Sequence, residues 1–184
     1  GTTVASGAAL ELQGNIAVGA ESLQLSGTGV GGNGALRNVA DTNSWAGNIT
    51  LAAASKIQSD AGTLTISGGV SSTNLGLTVD GAGNTSISGI VALGSGGLTK
   101  NGAGTLTLGG ANTYTGVTLI NAGTVSIDTL ANVSGGASSL GAPTTAANGR
   151  ISIGSTTTGA STSTVGAPNF RRTFRFQPLS VAQP

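Results

Sequence analysis

Apolar residues along this chain come in pairs that skip one position: Leu64 and Ile66, Leu106 and Leu108, Val125 and Ile127, Ile151 and Ile153. Further pairs of the same kind lie between them, among them Ile49 with Leu51, Leu77 with Val79 and Val117 with Leu119. A period of two puts alternate side chains on opposite sides of an extended segment, so each pair predicts a short strand with one side buried. The pairs also follow a longer rhythm. AGTLTI at 61–66, AGTLTL at 103–108 and AGTVSI at 122–127 are close copies, AGNTSI at 82–87 is a looser one, and NGRISI at 148–153 ends the same way. The glycines that open them, Gly62, Gly83, Gly104, Gly123 and Gly149, are 21, 21, 19 and 26 residues apart, and AESLQL at 20–25 lies two intervals upstream of the first. A repeat of about 20 residues with two or three strands per period predicts stacked coils, each pairing its strands in parallel with the next, better than it predicts a meander of hairpins. Eight or nine such rungs, each about 4.8 Å high, would make a rod roughly 40 Å long.

Composition sharpens this picture. Glycine, threonine, serine and asparagine fill 93 of 184 positions, which alone would suggest a flexible linker. Mean hydropathy is nevertheless +0.23, and aliphatic residues recur throughout, so the chain has the material for a core. Glycine and β-branched threonine disfavour helix, and no apolar run is long enough to span a bilayer as one. The protein contains no histidine and no cysteine. Imidazole bases, thiol nucleophiles, histidine or thiolate zinc sites and the Ser-His-Asp relay are therefore excluded. The absence of cysteine fixes no redox compartment but suits a chain that must cross one unfolded.

A second series accompanies the glycines: Asp41, Asp60, Asp80, Asn101 and Asn121, at spacings of 19, 20, 21 and 20. Stacked coils would place these side chains in one column. The row is read as turn-capping Asx residues rather than a calcium site, because two members are neutral and the glycine-rich nonapeptide of calcium-binding coils is missing.

Residues 97–127 contain the runs Leu98-Thr99-Lys100, Gly102-x-Gly104-Thr105-Leu106-Thr107-Leu108, Asn112-Thr113-Tyr114-Thr115-Gly116 and Asn121-Ala122-Gly123-Thr124. This stretch resembles the passenger-associated transport repeat of bacterial autotransporters. The resemblance implies a right-handed parallel β-helix, or solenoid, with about 20 residues per rung, carried to the cell surface by type V secretion. Repeats near the C-terminal end of such a passenger are thought to help it fold during export. The implied partner is an outer-membrane translocator β-barrel, which is expected, like the leader peptide, to lie outside this chain. The chain is accordingly expected to be a fragment, a processed product or a truncated gene remnant.

Other candidates are weighed against this frame. GTGVGG at 27–32 matches a dinucleotide-type loop, but no credible long helix follows, so no cofactor is expected. The family pattern places Lys100 in a turn, where it is expected to be solvated rather than a catalytic base. Trp45 and Tyr114 could stack on a sugar, but a core or motif role is preferred for each. Glu11, Glu21 and the Asp series could supply carboxylates for glycan cleavage, yet no two adjoin with a partner cation in sequence. No catalytic or metal site is assigned.

Three segments are expected: solenoid repeats over 1–154, a Ser/Thr/Gly-rich linker over 155–168, and a tail over 169–184. Residues 1–168 carry four cations against six acids, whereas the tail carries Arg171, Arg172 and Arg175 with Phe170, Phe174 and Phe176. The tail is read as a cap, a frayed end or sequence foreign to the repeat, with no nucleic-acid partner. The functional expectation is a non-enzymatic module that supports folding and export and acts as a surface or secreted stalk. Two alternatives are an adhesin that binds host protein, glycan or neighbouring cells through the solenoid or through loops 28–48 and 129–148, and a glycan-cleaving enzyme.

Overall fold

The computed structural model describes residues 1–154 and 164–166. The tail and most of the expected linker lie outside the described residues. The fold is an all-β parallel solenoid of about six turns with about 21 residues per turn. Each full coil crosses three faces. Face one holds β1 (Thr2–Val4), β4 (Leu23–Gly27), the first half of β7 (Ile49–Ser59), β9 (Val70–Ser71) and β12 (Val91–Ala92). Face two holds β2 (Leu10–Leu12), β5 (Leu36–Asn38), the second half of β7, β10 (Leu77–Asp80), β13 (Leu98–Lys100), β15 (Thr118–Ile120) and β17 (Ile151–Ile153). Face three holds β3 (Ala17–Val18), β6 (Thr42–Trp45), β8 (Thr63–Ile66), β11 (Asn84–Ile87), β14 (Thr105–Leu108), β16 (Thr124–Ile127) and β18 (Thr164–Gly166).

Parallel register stacks like on like, which is why the period of two and the period of about 21 reinforce each other. Trp45, Ile66, Ile87, Leu108 and Ile127 form one inward column on face three, and Asn43, Leu64, Thr85, Leu106 and Val125 form the next. On face one Leu23, Ile49, Val70 and Val91 stack in the same way. All of these side chains are buried. Where asparagine enters the interior it is bonded: Asn38 donates to the Ser59 hydroxyl at 3.0 Å and the Ala61 carbonyl at 2.8 Å, and Asn43 donates to the Ala40 carbonyl at 2.7 Å. Burying an amide without such partners would be costly.

Several expectations need correction. The rod is shorter than eight or nine rungs, about 30 Å, because some coils carry excursions: Leu23 pairs 26 residues on with Ile49, and Thr118 pairs 33 residues on with Ile151. AESLQL and NGRISI are not copies of the face-three unit, since β4 lies on face one and β17 on face two. Alternation is the same on every face, so it does not tell one from another. Val117 and Leu119 point outward while Thr118 and Ile120 are buried, a one-residue slip that reverses a strand's sides. The Asx series is not one column. Asp80, Asn101 and Asn121 do stack, but their column continues through Gln58, Arg37 and Glu11. Asp60 sits two residues beyond Gln58. Asp41 precedes β6 as Gly62 precedes β8, and it shares that glycine's left-handed backbone, with φ 67° against 69°.

Candidate functional site

The apolar and amide-bearing motif residues over 98–127 are directed into the coil or its corners. Leu98, Leu106 and Leu108 are core, while Thr105 and Thr107 alternate outward on β14. Gly102, Gly104 and Gly123 lie where consecutive coils nearly touch: a Cβ on Gly104 would fall 1.9 Å from the Gly83 carbonyl oxygen, and one on Gly116 2.5 Å from that of Gly96. Asn121 donates to the Asn101 side-chain oxygen at 2.8 Å, one rung of an amide ladder between coils.

Lys100 overturns the expectation of a solvated turn residue. It is only 2 % exposed and occupies an aliphatic column, with Val79 and Ile120 as its register partners. Its ammonium donates to the carbonyl oxygens of Asn101 and, at 2.8 Å, Gly102, so a cation inside the coil holds the corner that follows β13. Burial pushes its pKa below the ordinary lysine value, with the charge of Asp80 acting against that shift. Sequence alone placed Lys100 near the turn but gave no sign that the side chain reaches it from within.

Asn112 and Tyr114 hold the long excursion between β16 and β17. The buried Asn112 amide accepts from Val91 N at 2.8 Å and donates to the Ser139 carbonyl at 2.7 Å, joining the preceding coil to the excursion. Tyr114 is fully buried, its hydroxyl is 2.8 Å from the Thr118 hydroxyl, and its carbonyl accepts from Ala142 N at 2.8 Å. Burial raises the phenol pKa far above its ordinary value, against the opposing effect of the Thr118 bond. Leu140, within the excursion, is buried, and a hollow beside it, Thr118 and Ile151 is about 10 Å³.

Charge gathers on face two. Arg37 donates Nη1 to Glu11 Oε1 at 2.7 Å and Nε to Asp60 Oδ2 at 2.7 Å; Gln58 donates to Asp60 Oδ1 at 2.6 Å and accepts from Lys56 Nζ at 3.4 Å; Lys56 donates to Asp80 Oδ2 at 2.7 Å. Six side chains thus form one continuous network across four coils. The hydrogen bonds to Asp60 and Glu11 hold the Arg37 guanidinium above its ordinary pKa. Asp60 and Asp80, which sequence left without cations, each have one. Their lone pairs are directed at those cations and at neighbouring donors, an arrangement that braces coils rather than presenting a free base. Among the described residues, no three acidic side chains converge on a point where a metal ion could sit.

Burial alone would raise the Asp80 pKa, but the hydrogen bond from Lys56, that from Gly81 N at 2.8 Å and the charges of Lys56 and Lys100 outweigh it and hold the carboxyl below its ordinary value. A depressed folded pKa supplies stability that is present above the unfolded value of about 4 and is lost as pH falls through the folded one. Asp80→Asn should therefore flatten the acid limb of the stability profile. Urea midpoints at pH 7 and pH 3 should differ less in the variant than in the parent.

The remaining candidates are structural as placed. Trp45 is 3 % exposed and donates its indole N–H to the Glu21 carbonyl at 2.9 Å, so no sugar can stack on it. Glu21 lies at the surface, apart from the face-two network, and is 3.2 Å from the Gly1 ammonium. GTGVGG forms a corner excursion with a single 3-10 turn, Val30–Gly32, and the N–H groups of Gly32, Asn33 and Gly34 bond the loop's own carbonyls.

In this coil Leu98, Leu106, Leu108 and Tyr114 fill the interior, Lys100 holds a corner, the glycines sit where consecutive coils touch, and Asn112 ties the preceding coil to the excursion. Residues 98–127 match the family model of the passenger-associated-transport-repeat. With the parallel coils around it, this repeat supports the reading of the chain as a segment of an autotransporter passenger. A passenger repeat implies secretion through the outer membrane. No curated protein and no solved structure matches the chain.

Proposed function

We propose that this chain is a non-enzymatic structural segment of a type V secreted passenger, a surface stalk whose coils fold one on another during export through an outer-membrane translocator β-barrel. The observation that carries this reading is the orientation of the repeat's own side chains. Lys100 holds the corner after β13 from inside the coil, Asn112 ties the preceding coil to the excursion, and Tyr114 lies buried beneath that excursion at Gly141 with its hydroxyl on Thr118, so the signature that matches the family acts on how coils close and join. Contacts limited to adjacent coils let such a chain fold in the order in which it emerges.

The test is to place residues 1–184 ahead of a type V translocator barrel and measure surface display by antibody and protease access on intact cells. Deleting residues 98–127 should lower display several-fold while periplasmic chain accumulates. Equal display with and without the repeat would reject the role in export.

A further inference from the structure

We propose that face one carries a binding groove for a neutral glycan chain lying across the coils. β7 runs from face one to face two without a turn, whereas the next coil makes a loop at that corner between β9 and β10. That loop borders one side of a shallow hollow of about 540 Å³, open to solvent, that is lined by Thr50, Ala52, Ser71, Thr73 and Leu75. A second hollow of 280 Å³ shares Thr50 and continues past Gln24 to Thr3. Register stacks Thr3, Gln24, Thr50 and Ser71 in one line, so the two hollows follow the solenoid axis.

Three features set the chemistry of the occupant. No charged side chain lines either hollow; the Gly1 ammonium at the end of the second is paired with Glu21, and the nearby cations Arg37 and Lys56 are paired with carboxylates on face two, so a polyanion finds no unpaired counter-charge. The side chains of Thr3, Gln24, Thr50, Ser71 and Thr73 are exposed and make no hydrogen bond within the described residues, in contrast to the fully bonded polar row of face two. Hydroxyl and amide groups that both donate and accept match the hydroxyls of a sugar, and Ala52 and Leu75 offer apolar contact for its C–H face. A peptide could not add here as a strand, because β7 is already paired on both sides along this face, with β4 and β9. The loop is also held in place: the Ser72 hydroxyl accepts from Leu75 N at 3.2 Å, and the Asn74 side chain accepts from Ser95 N at 2.9 Å.

The experiment is a titration of the full chain, 15N-labelled, with hexasaccharides of xylose, of β-1,4-glucose and of N-acetylglucosamine, read by amide shifts. Saturable shifts confined to Gln24, Thr50, Ser71 and Thr73 are expected with at least one of them. Thr50→Glu should weaken that binding about tenfold or more, and Thr65→Glu on face three should leave it unchanged. Shifts centred on face three or on residues 129–148, or none with all three sugars at millimolar concentration, would overturn the proposal.

Discussion

Gly89→Val is expected to abolish the cooperative unfolding transition of the parent. At the corner that leaves face three, Gly47, Gly68, Gly89 and Gly110 stack at intervals of 21 residues. A Cβ on Gly89 would lie 2.1 Å from the Gly68 carbonyl oxygen and 2.4 Å from its carbon, far inside van der Waals contact. Those are backbone atoms of a coil hydrogen-bonded to its neighbours, so they cannot rotate aside as a side-chain tip could. Gly68 and Gly110 meet the same obstacle, at 2.0 Å from Gly47 O and 2.5 Å from Gly89 O. Relieving the clash means prying the coils apart near the middle of the rod. Overpacking a deformable core costs about 1–3 kcal/mol, and a clash with fixed backbone should cost about 4 kcal/mol or more, a large share of the stability of an ordinary domain. Urea unfolding followed by far-ultraviolet circular dichroism checks this. Gly19→Val is the control, because nothing lies within 4 Å of a Cβ built there, and it should change stability by about 0.5 kcal/mol or less.

Tyr114→Ala should release the excursion between β16 and β17 while leaving the N-terminal coils in place. The ring fills the interior beneath Gly141, where a Cβ would come within 3.0 Å of the ring carbons, and its hydroxyl bonds Thr118. Deleting a buried aromatic costs about 3–5 kcal/mol. Each coil contacts only its neighbours, so that loss falls on the last coils rather than on the whole rod. Thermolysin should then cut next to Leu140, which is 5 % exposed in the parent, much faster than before, while strand signal from residues 2–108 persists. Uniform loss of signal along the chain would show that the excursion is not a separable unit. Tyr114→Phe, which keeps the ring and leaves the Thr118 hydroxyl without its partner, should cost about 1–2 kcal/mol.

Much of the architecture was legible in the sequence because a parallel solenoid writes its register directly into the chain. The copies at 61–66, 82–87, 103–108 and 122–127 are stacked strands of face three, and their opening glycines share a corner. What misled was information that alternation does not carry. The same apolar pairing occurs on all three faces, so AESLQL and NGRISI look like copies of the face-three unit although β4 lies on face one and β17 on face two. Val117 and Leu119 looked inward by hydrophobicity, but the Thr118 hydroxyl has a partner in buried Tyr114, and a satisfied threonine can displace a valine from the core. The glycines at 47, 68, 89 and 110 repeat more strictly than Gly62, Gly83, Gly104, Gly123 and Gly149, and only the corner geometry reveals why. The family pattern places Lys100 in a turn and so suggests a solvated side chain, whereas its burial depends on two carbonyls of the corner after β13 that no pattern marks. The face-two network joins residues 20 or more apart in sequence, Glu11 with Arg37 and Lys56 with Asp80, which only stacking brings together.

The central claim is that residues one repeat apart lie directly against each other in parallel register, so that the repeat exists for stacking. Engineered cysteines test it cleanly, since the chain has none of its own. Ser86 and Thr107 are register partners on the outer side of face three, and neighbouring strands about 4.8 Å apart fall within disulfide range. Thr65 and Thr107 are two coils apart, roughly 9–10 Å, which is beyond that range. Under mild oxidation the monomeric Ser86→Cys/Thr107→Cys chain should cross-link almost completely with its circular dichroism unchanged, and Thr65→Cys/Thr107→Cys should stay reduced. Cross-linking of the distant pair in preference to the adjacent one, or of both equally, would contradict the stacked-coil account.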